Sequence, residues 1–169
     1  MKKIKTGKIL YLIFGLIMVL SLGITAESTV KKKTEAEKIA ENFVNDYINV
    51  NIENHDKWMS TQPITEKFKI IHTNQKHAGE ISERILSGEK VSEKDRKFSN
   101  EYAVDYGPIF GAVWLDLEED SIFKVKSYNK KTGRIILKDE KTGIELPVNV
   151  INKNGKWFID GAGTVNIKE

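Results

Sequence analysis

An aspartate followed by a tyrosine, with another tyrosine just upstream, is the densest group of proton-handling side chains in this sequence: Asp105, Tyr106 and Tyr102. Such a pairing can move a proton beside a carbonyl when both side chains face one cavity. The same residues have a plainer use, in which Asp105 accepts backbone N–H bonds in the turn before Pro108 and the tyrosines pad the core. The plainer use is preferred, so the three are kept as ligand-binding candidates and none is assigned a catalytic role.

A second group is Trp114-Leu-Asp116-Leu-Glu118-Glu119-Asp120. Its carboxylates lack the sixth-position glycine and the regular alternation of a calcium loop, so it reads as a solvated acidic loop. Trp114 and Asp116 in that loop are candidates for contact with a partner, the tryptophan as an anchor. His72 and His77 are five apart on a predicted helix and therefore on different faces, whereas a helix binds metal with spacings of three or four. Both are expected at the surface, and His55 stands alone in a predicted turn. The chain has no cysteine, which removes disulfides, thiol nucleophiles, zinc-thiolate sites and lipidation at a cysteine. Without a Gly-x-Ser-x-Gly elbow either, nucleophilic hydrolysis has no visible machinery, and neither metal nor cofactor is expected.

What must position these groups begins after a separate head. Lys2, Lys3, Lys5 and Lys8 lead into an apolar run from Ile9 to Leu22 and then Gly23-Ile-Thr-Ala26, the order of a secretory signal. Residues 1–26 are expected to be cut after Ala26 or, if uncut, to anchor the chain, since the run is at the lower edge of what crosses roughly 30 Å of hydrocarbon. Either outcome places the rest outside the cytoplasm, in the periplasm or beyond the cell, with membrane contact only through the uncut head. The whole chain carries 27 Lys+Arg against 24 Asp+Glu, and the head holds four of those lysines, so the remainder is close to neutral. It has no basic stripe to neutralise phosphates, and nucleic-acid binding is not expected.

Residues 27–33 read as a polar spacer whose Lys31-Lys32-Lys33 cluster is a solvated tether, and 34–169 as a single domain. Thr34-Glu-Ala-Glu37 is a capping box, followed by Ala36, Ile39, Ala40, Phe43, Val44, Tyr47 and Ile48 on one helical stripe to about Ile52. Glu35, Glu41, Asn42, Asn45 and Asp46 take the outer face. Asn54-His55-Asp56 reads as a turn and Pro63 as the first residue of a second helix. Ile64, Phe68, Ile71, Ala78, Ile81 and Ile85 mark that helix, which Gly79 could bend and Gly88 caps. Ser92-Glu-Lys-Asp95 opens a third helix through Phe98 and Tyr102, stopped by Gly107-Pro108.

From Ile122 the period falls to two. Strands are expected at 122–128, 134–139, 144–151 and 156–160, joined by short turns, of which Asn154-Gly155 is the strongest hairpin signal. Pro147 favours an edge or bulge position, while Trp157 and Asp160 read as core and turn. Helices first and a meander after specify an α+β fold, N-terminal helices packed on a curved four-stranded antiparallel meander.

The run Asp105-Tyr-Gly-Pro108-Ile-Phe-Gly111, with Phe123-Lys-Val125-Lys-Ser-Tyr128, Thr132-Gly133 and Asn154-Gly-Lys-Trp157-Phe-Ile-Asp160-Gly161, resembles the DUF3828 family, small exported bacterial proteins or lipoproteins. The resemblance spans about residues 35–167 and implies an NTF2-like, cystatin-like fold, with a concave pocket near Asp105. Some members resemble immunity proteins that block a toxin. This chain has Val113-Trp114 where the family pattern often has Gln-Asp, and lacks the lipoproteins' cysteine. The resemblance therefore implies a fold and a compartment, not a reaction. The expected function is a non-enzymatic exported module presenting a loop or the sheet concavity to an envelope protein; the alternative is a small-ligand or enzymatic pocket with Asp105 and Tyr106 at its mouth.

Overall fold

The computed structural model describes residues 32–104 and 107–167, so residues 1–26, expected to be a secretory signal, lie outside the described residues. The Thr34 capping box is formed. Its hydroxyl accepts from the Glu37 N–H at 3.3 Å and Glu37 accepts from the Thr34 N–H at 2.7 Å, opening helix α1 (Glu35–Asn49). Ala36, Ala40, Phe43, Val44 and Tyr47 are buried, with Ile39 and Ile48 packed at the margin.

The stretch expected as a turn at Asn54-His55-Asp56 is helical: a 3-10 turn (Ile52–Asn54) runs into a short helix α2 (His55–Met59). Tertiary packing explains the difference. Met59 is buried and the Trp58 ring lies 5.4 Å from that of Phe43, so a helical turn is needed to put both against the core. Pro63 does not start the next helix. Its carbonyl accepts from the Ile159 N–H and Thr65 N–H donates to the Ile159 carbonyl, so residues 63–65 lie along a strand edge. Helix α3 (Glu66–Leu86) then begins behind Thr65, whose hydroxyl accepts from the Phe68 N–H. It runs unbroken through Gly79. At its end Glu89 N–H reaches Arg84 O and Gly88 N–H reaches Ile85 O around Gly88 at φ +82°, a Schellman stop. Helix α4 (Glu93–Tyr102), capped by Ser92, lies against α3 through the Ser82–Ser99 hydroxyl pair at 2.7 Å.

After a 3-10 helix (Gly111–Asp116) come β1 (Phe123–Asn129), β2 (Arg134–Asp139), β3 (Glu145–Lys153) and β4 (Lys156–Ala162), antiparallel in that order. The protein is thus an α+β fold with helices packed on a curved, open meander. Irregularities between Val125 and Ser127 and between Asn149 and Val150 supply local twist. Asn154 and Gly155 both have positive φ, as the tight β3–β4 hairpin requires. Pro147 sits on an interior strand, not an edge; its carbonyl accepts from Gly163 just past the end of β4, where a missing donor is tolerated. Asp160 is likewise a strand residue, at the β4 irregularity, accepting from Thr65 Oγ1 at 2.7 Å.

Both sheet edges are covered, and this corrects the expected outer face of α1. Asn45 donates to the Phe123 carbonyl at 2.9 Å and accepts from the Phe123 N–H at 2.8 Å, while Glu41 accepts from the Val125 N–H at 3.2 Å. These side chains stand in for a neighbouring strand along β1, as residues 63–65 do along β4. Glu41 is buried and paired with Lys33 at 2.6 Å, so Lys33 belongs to the fold and not only to a tether.

Candidate functional site

The C-terminal turn of α1, the whole of α2 and the first half of α3 bring five ring or charged side chains together. Tyr47 ends the buried stripe of α1, and its hydroxyl lies 3.3 Å from His72 Nε2 on α3. His55, at the start of α2, packs its ring 4.7 Å from the Tyr47 ring and places Nε2 2.9 Å from the Val50 carbonyl. One helical turn beyond His72, Lys76 bonds Asp56 of α2 at 2.5 Å. His72 is 5% exposed, which overturns its expected surface position. The sequence did carry a signal: between Ile71 and Ala78 the apolar stripe of α3 has a gap, and the helical period fills it with His72 and Gln75, both buried polar residues.

Protonation follows from burial. Desolvation pushes the His72 pKa down to about 4; His55 adds to the effect, Asp56 opposes it and Lys76 adds again. Burial, then the nearby Asp56 charge, pushes the Tyr47 phenol above its usual range, so it keeps its proton. The hydrogen bond from Lys76 is the first cause holding the Asp56 carboxyl below its usual value. The Val50 carbonyl can only accept, so His55 Nε2 is a donor. Tyr47 has no other hydrogen-bond partner among the described residues, and donation of its O–H to His72 Nε2 puts the proton of the neutral ring on Nδ1.

The opposite wall comes from residues 107–114. Ile109 has φ +71°, a conformation costly for a β-branched side chain, and is fully buried with its carbonyl accepting from Thr164 N–H at 2.9 Å. Gly163 makes that approach possible, since a Cβ there would fall 1.7 Å from the Ile109 oxygen. Gln75 Nε2 donates to the Thr164 carbonyl at 3.3 Å, tying this clamp to α3. The segment continues into the 3-10 helix, where the Trp114 ring meets Phe110 at 5.5 Å and remains 40% exposed.

These elements enclose a two-lobed cleft whose common wall is His72 and Lys76. One lobe, about 220 Å³, is completed by Tyr47, His55, Gly107, Pro108 and Trp114. The other, about 380 Å³, is completed by Asp56, Met59, Ser60, Lys69, Thr73, His77 and Glu80. No strand residue lines either lobe, so the cleft is on the helical side, apart from the sheet concavity.

Of the residues expected to form a site, Trp114 lines the cleft; Asp116 is exposed at the end of the same 3-10 helix. Tyr102 is half-exposed on α4, its ring 4.9 Å from Phe98, and lines neither lobe. Asp105 and Tyr106 lie outside the described residues. The acidic loop is held by Lys141, which pairs with Glu118 at 2.6 Å and with Asp120. Among the described residues no group of three His, Cys, Asp or Glu side chains could hold a metal ion, and no helix is long and apolar enough to cross a membrane.

Compared with family models, curated proteins and solved structures, the chain finds no match. The site therefore rests on its own geometry: an α+β domain with a concave, aromatic-rimmed cleft between helices.

Proposed function

We propose that this protein is an exported binding module whose recognition site is the cleft beneath Trp114. One observation carries the reading. A buried imidazole and an ammonium paired with the exposed Asp56 form the shared wall of two open lobes, so polar groups face a space that a ligand can fill. The strained backbone at Ile109, next in the chain to the lining residue Pro108, supports it, because such conformations persist where surrounding structure enforces them and they cluster at binding sites. Export is supported by the lysine-led apolar head, and the DUF3828 resemblance agrees with that compartment.

The test is equilibrium dialysis of the intact chain against the small-molecule fraction of its own cell envelope. A compound retained by the wild type and released by Trp114→Ala supports the cleft; equal retention by both removes it. Intact mass of the protein isolated from its cell reads the head directly, with loss of residues 1–26 expected.

A second reading has its own support: Trp114, Leu115 and Ile122 are 40%, 63% and 47% exposed and flank Asp116, a surface suited to an envelope protein partner. Leu115→Ser separates the two, since Leu115 lines neither lobe. It should abolish partner binding while sparing a small ligand.

A further inference from the structure

We propose that the cleft takes a small amphipathic carboxylate, its ring or chain in the lobe between Trp114, Pro108, His55 and Tyr47 and its anionic end on Lys76 Nζ and His72 Nδ1; this rests on the cleft being the binding site. The walls are aromatic and apolar on one side, and where they meet the polar lobe the available groups are donors. His72 Nε2 is occupied by the Tyr47 hydroxyl, which leaves the Nδ1–H with no partner among the described residues. An ammonium beside an N–H donor inside a partly closed cleft is a carboxylate receptor, because charge-assisted bonds strengthen as water is excluded.

The acids nearby do not cancel this. Asp56, which holds Lys76, has its side chain 73% exposed against 38% for Lys76. That ion pair is weak in solvent and its carboxylate can turn outward, leaving the ammonium to the ligand. Glu80, the other acid lining the cleft, is 58% exposed and lies 3.4 Å from His77. The remaining cation, Lys69, lines the larger lobe. Lys76 is therefore the least exposed charge of the lining, while Lys69, Asp56 and Glu80 are exposed, an arrangement that admits an anion.

The experiment titrates the intact chain with 3-phenylpropionate, its uncharged amide and 3-phenylpropylammonium, read by NMR at the Trp114 indole N–H and the His72 ring. The carboxylate should bind at least about 10-fold more tightly than the amide, a difference of about 1.4 kcal/mol, and the cation should not bind. Lys76→Gln should erase that preference while leaving amide binding in place, and Asp56→Asn should tighten the carboxylate severalfold by removing its competitor. His72→Phe preserves the ring packing and should weaken only the carboxylate. Equal affinity for amide and carboxylate, or binding of the cation, overturns the ligand class and leaves the cleft standing. No shift at Trp114 or His72 with any of the three overturns the class and the cleft together.

Discussion

One helix carries two polar clusters within two turns, and they are built differently. Toward the sheet, Glu41 and Asn45 spend their donors and acceptors on Lys33, on the Phe123 N–H and carbonyl and on the Val125 N–H. Toward the cleft, Tyr47 meets His72, whose other ring nitrogen has no partner among the described residues. A polar group whose bonding capacity is consumed by the fold is structure. A polar group at a cavity wall with bonding capacity to spare is a candidate site, because a ligand can take that capacity up.

The comparison can be broken most severely at the Ile109–Gly163 clamp. Gly163→Ala forces a Cβ against the Ile109 carbonyl at positive φ, and should cost on the order of 4 kcal/mol in chemical denaturation. Next is pH. His72 has a folded pKa of about 4 against an unfolded value near 6.5, so between these values the unfolded chain binds more protons. Its contribution is complete above about pH 6.5 and is lost as pH falls to about 4, on the order of 3 kcal/mol. In His72→Phe the stability–pH curve should be flat in that window. Asp139 titrates lower still: burial raises its pKa, but hydrogen bonds from Thr142, Ile122 and Ser121 outweigh burial and hold it below the usual carboxylate value. Its contribution is therefore present above about pH 4 and disappears as pH falls through that lower range.

A smaller effect tests the structural half. Asn45→Ala strips the β1 edge of a donor and an acceptor and should cost about 2 kcal/mol in Tm-derived stability, with ligand affinity unchanged. If affinity changes as well, the two clusters are coupled and the distinction between them is lost. The smallest effect belongs to Leu115→Ser, which should leave stability within about 0.5 kcal/mol because the side chain is mostly in solvent.

Local chemistry accounts for what could be read before the structure. Thr34 caps because Glu37 follows at the right interval, Gly88 stops α3 because it accepts positive φ, and Asn154-Gly155 turns because both residues do. The same reasoning misplaced His72 by treating a polar residue as a surface residue, and placed Glu41 and Asn45 outward for the same cause. Pro63 and the Asn54–Asp56 stretch were misread because their conformations answer to Ile159 and Phe43, far along the chain. Trp114 stood out locally as a candidate, but nothing local joined it to Tyr47, His55 and Lys76.

The sequence by itself determined the α+β order, the Thr34 and Ser92 caps, the Gly88 stop, the antiparallel meander and the expectation of export, since these depend on periodicity and on neighbours a few residues apart. Only the tertiary structure decided which polar side chains turn inward and which cavity they share. Burial is a property of distant surfaces brought together, and a histidine's proton is placed by the partner it meets there.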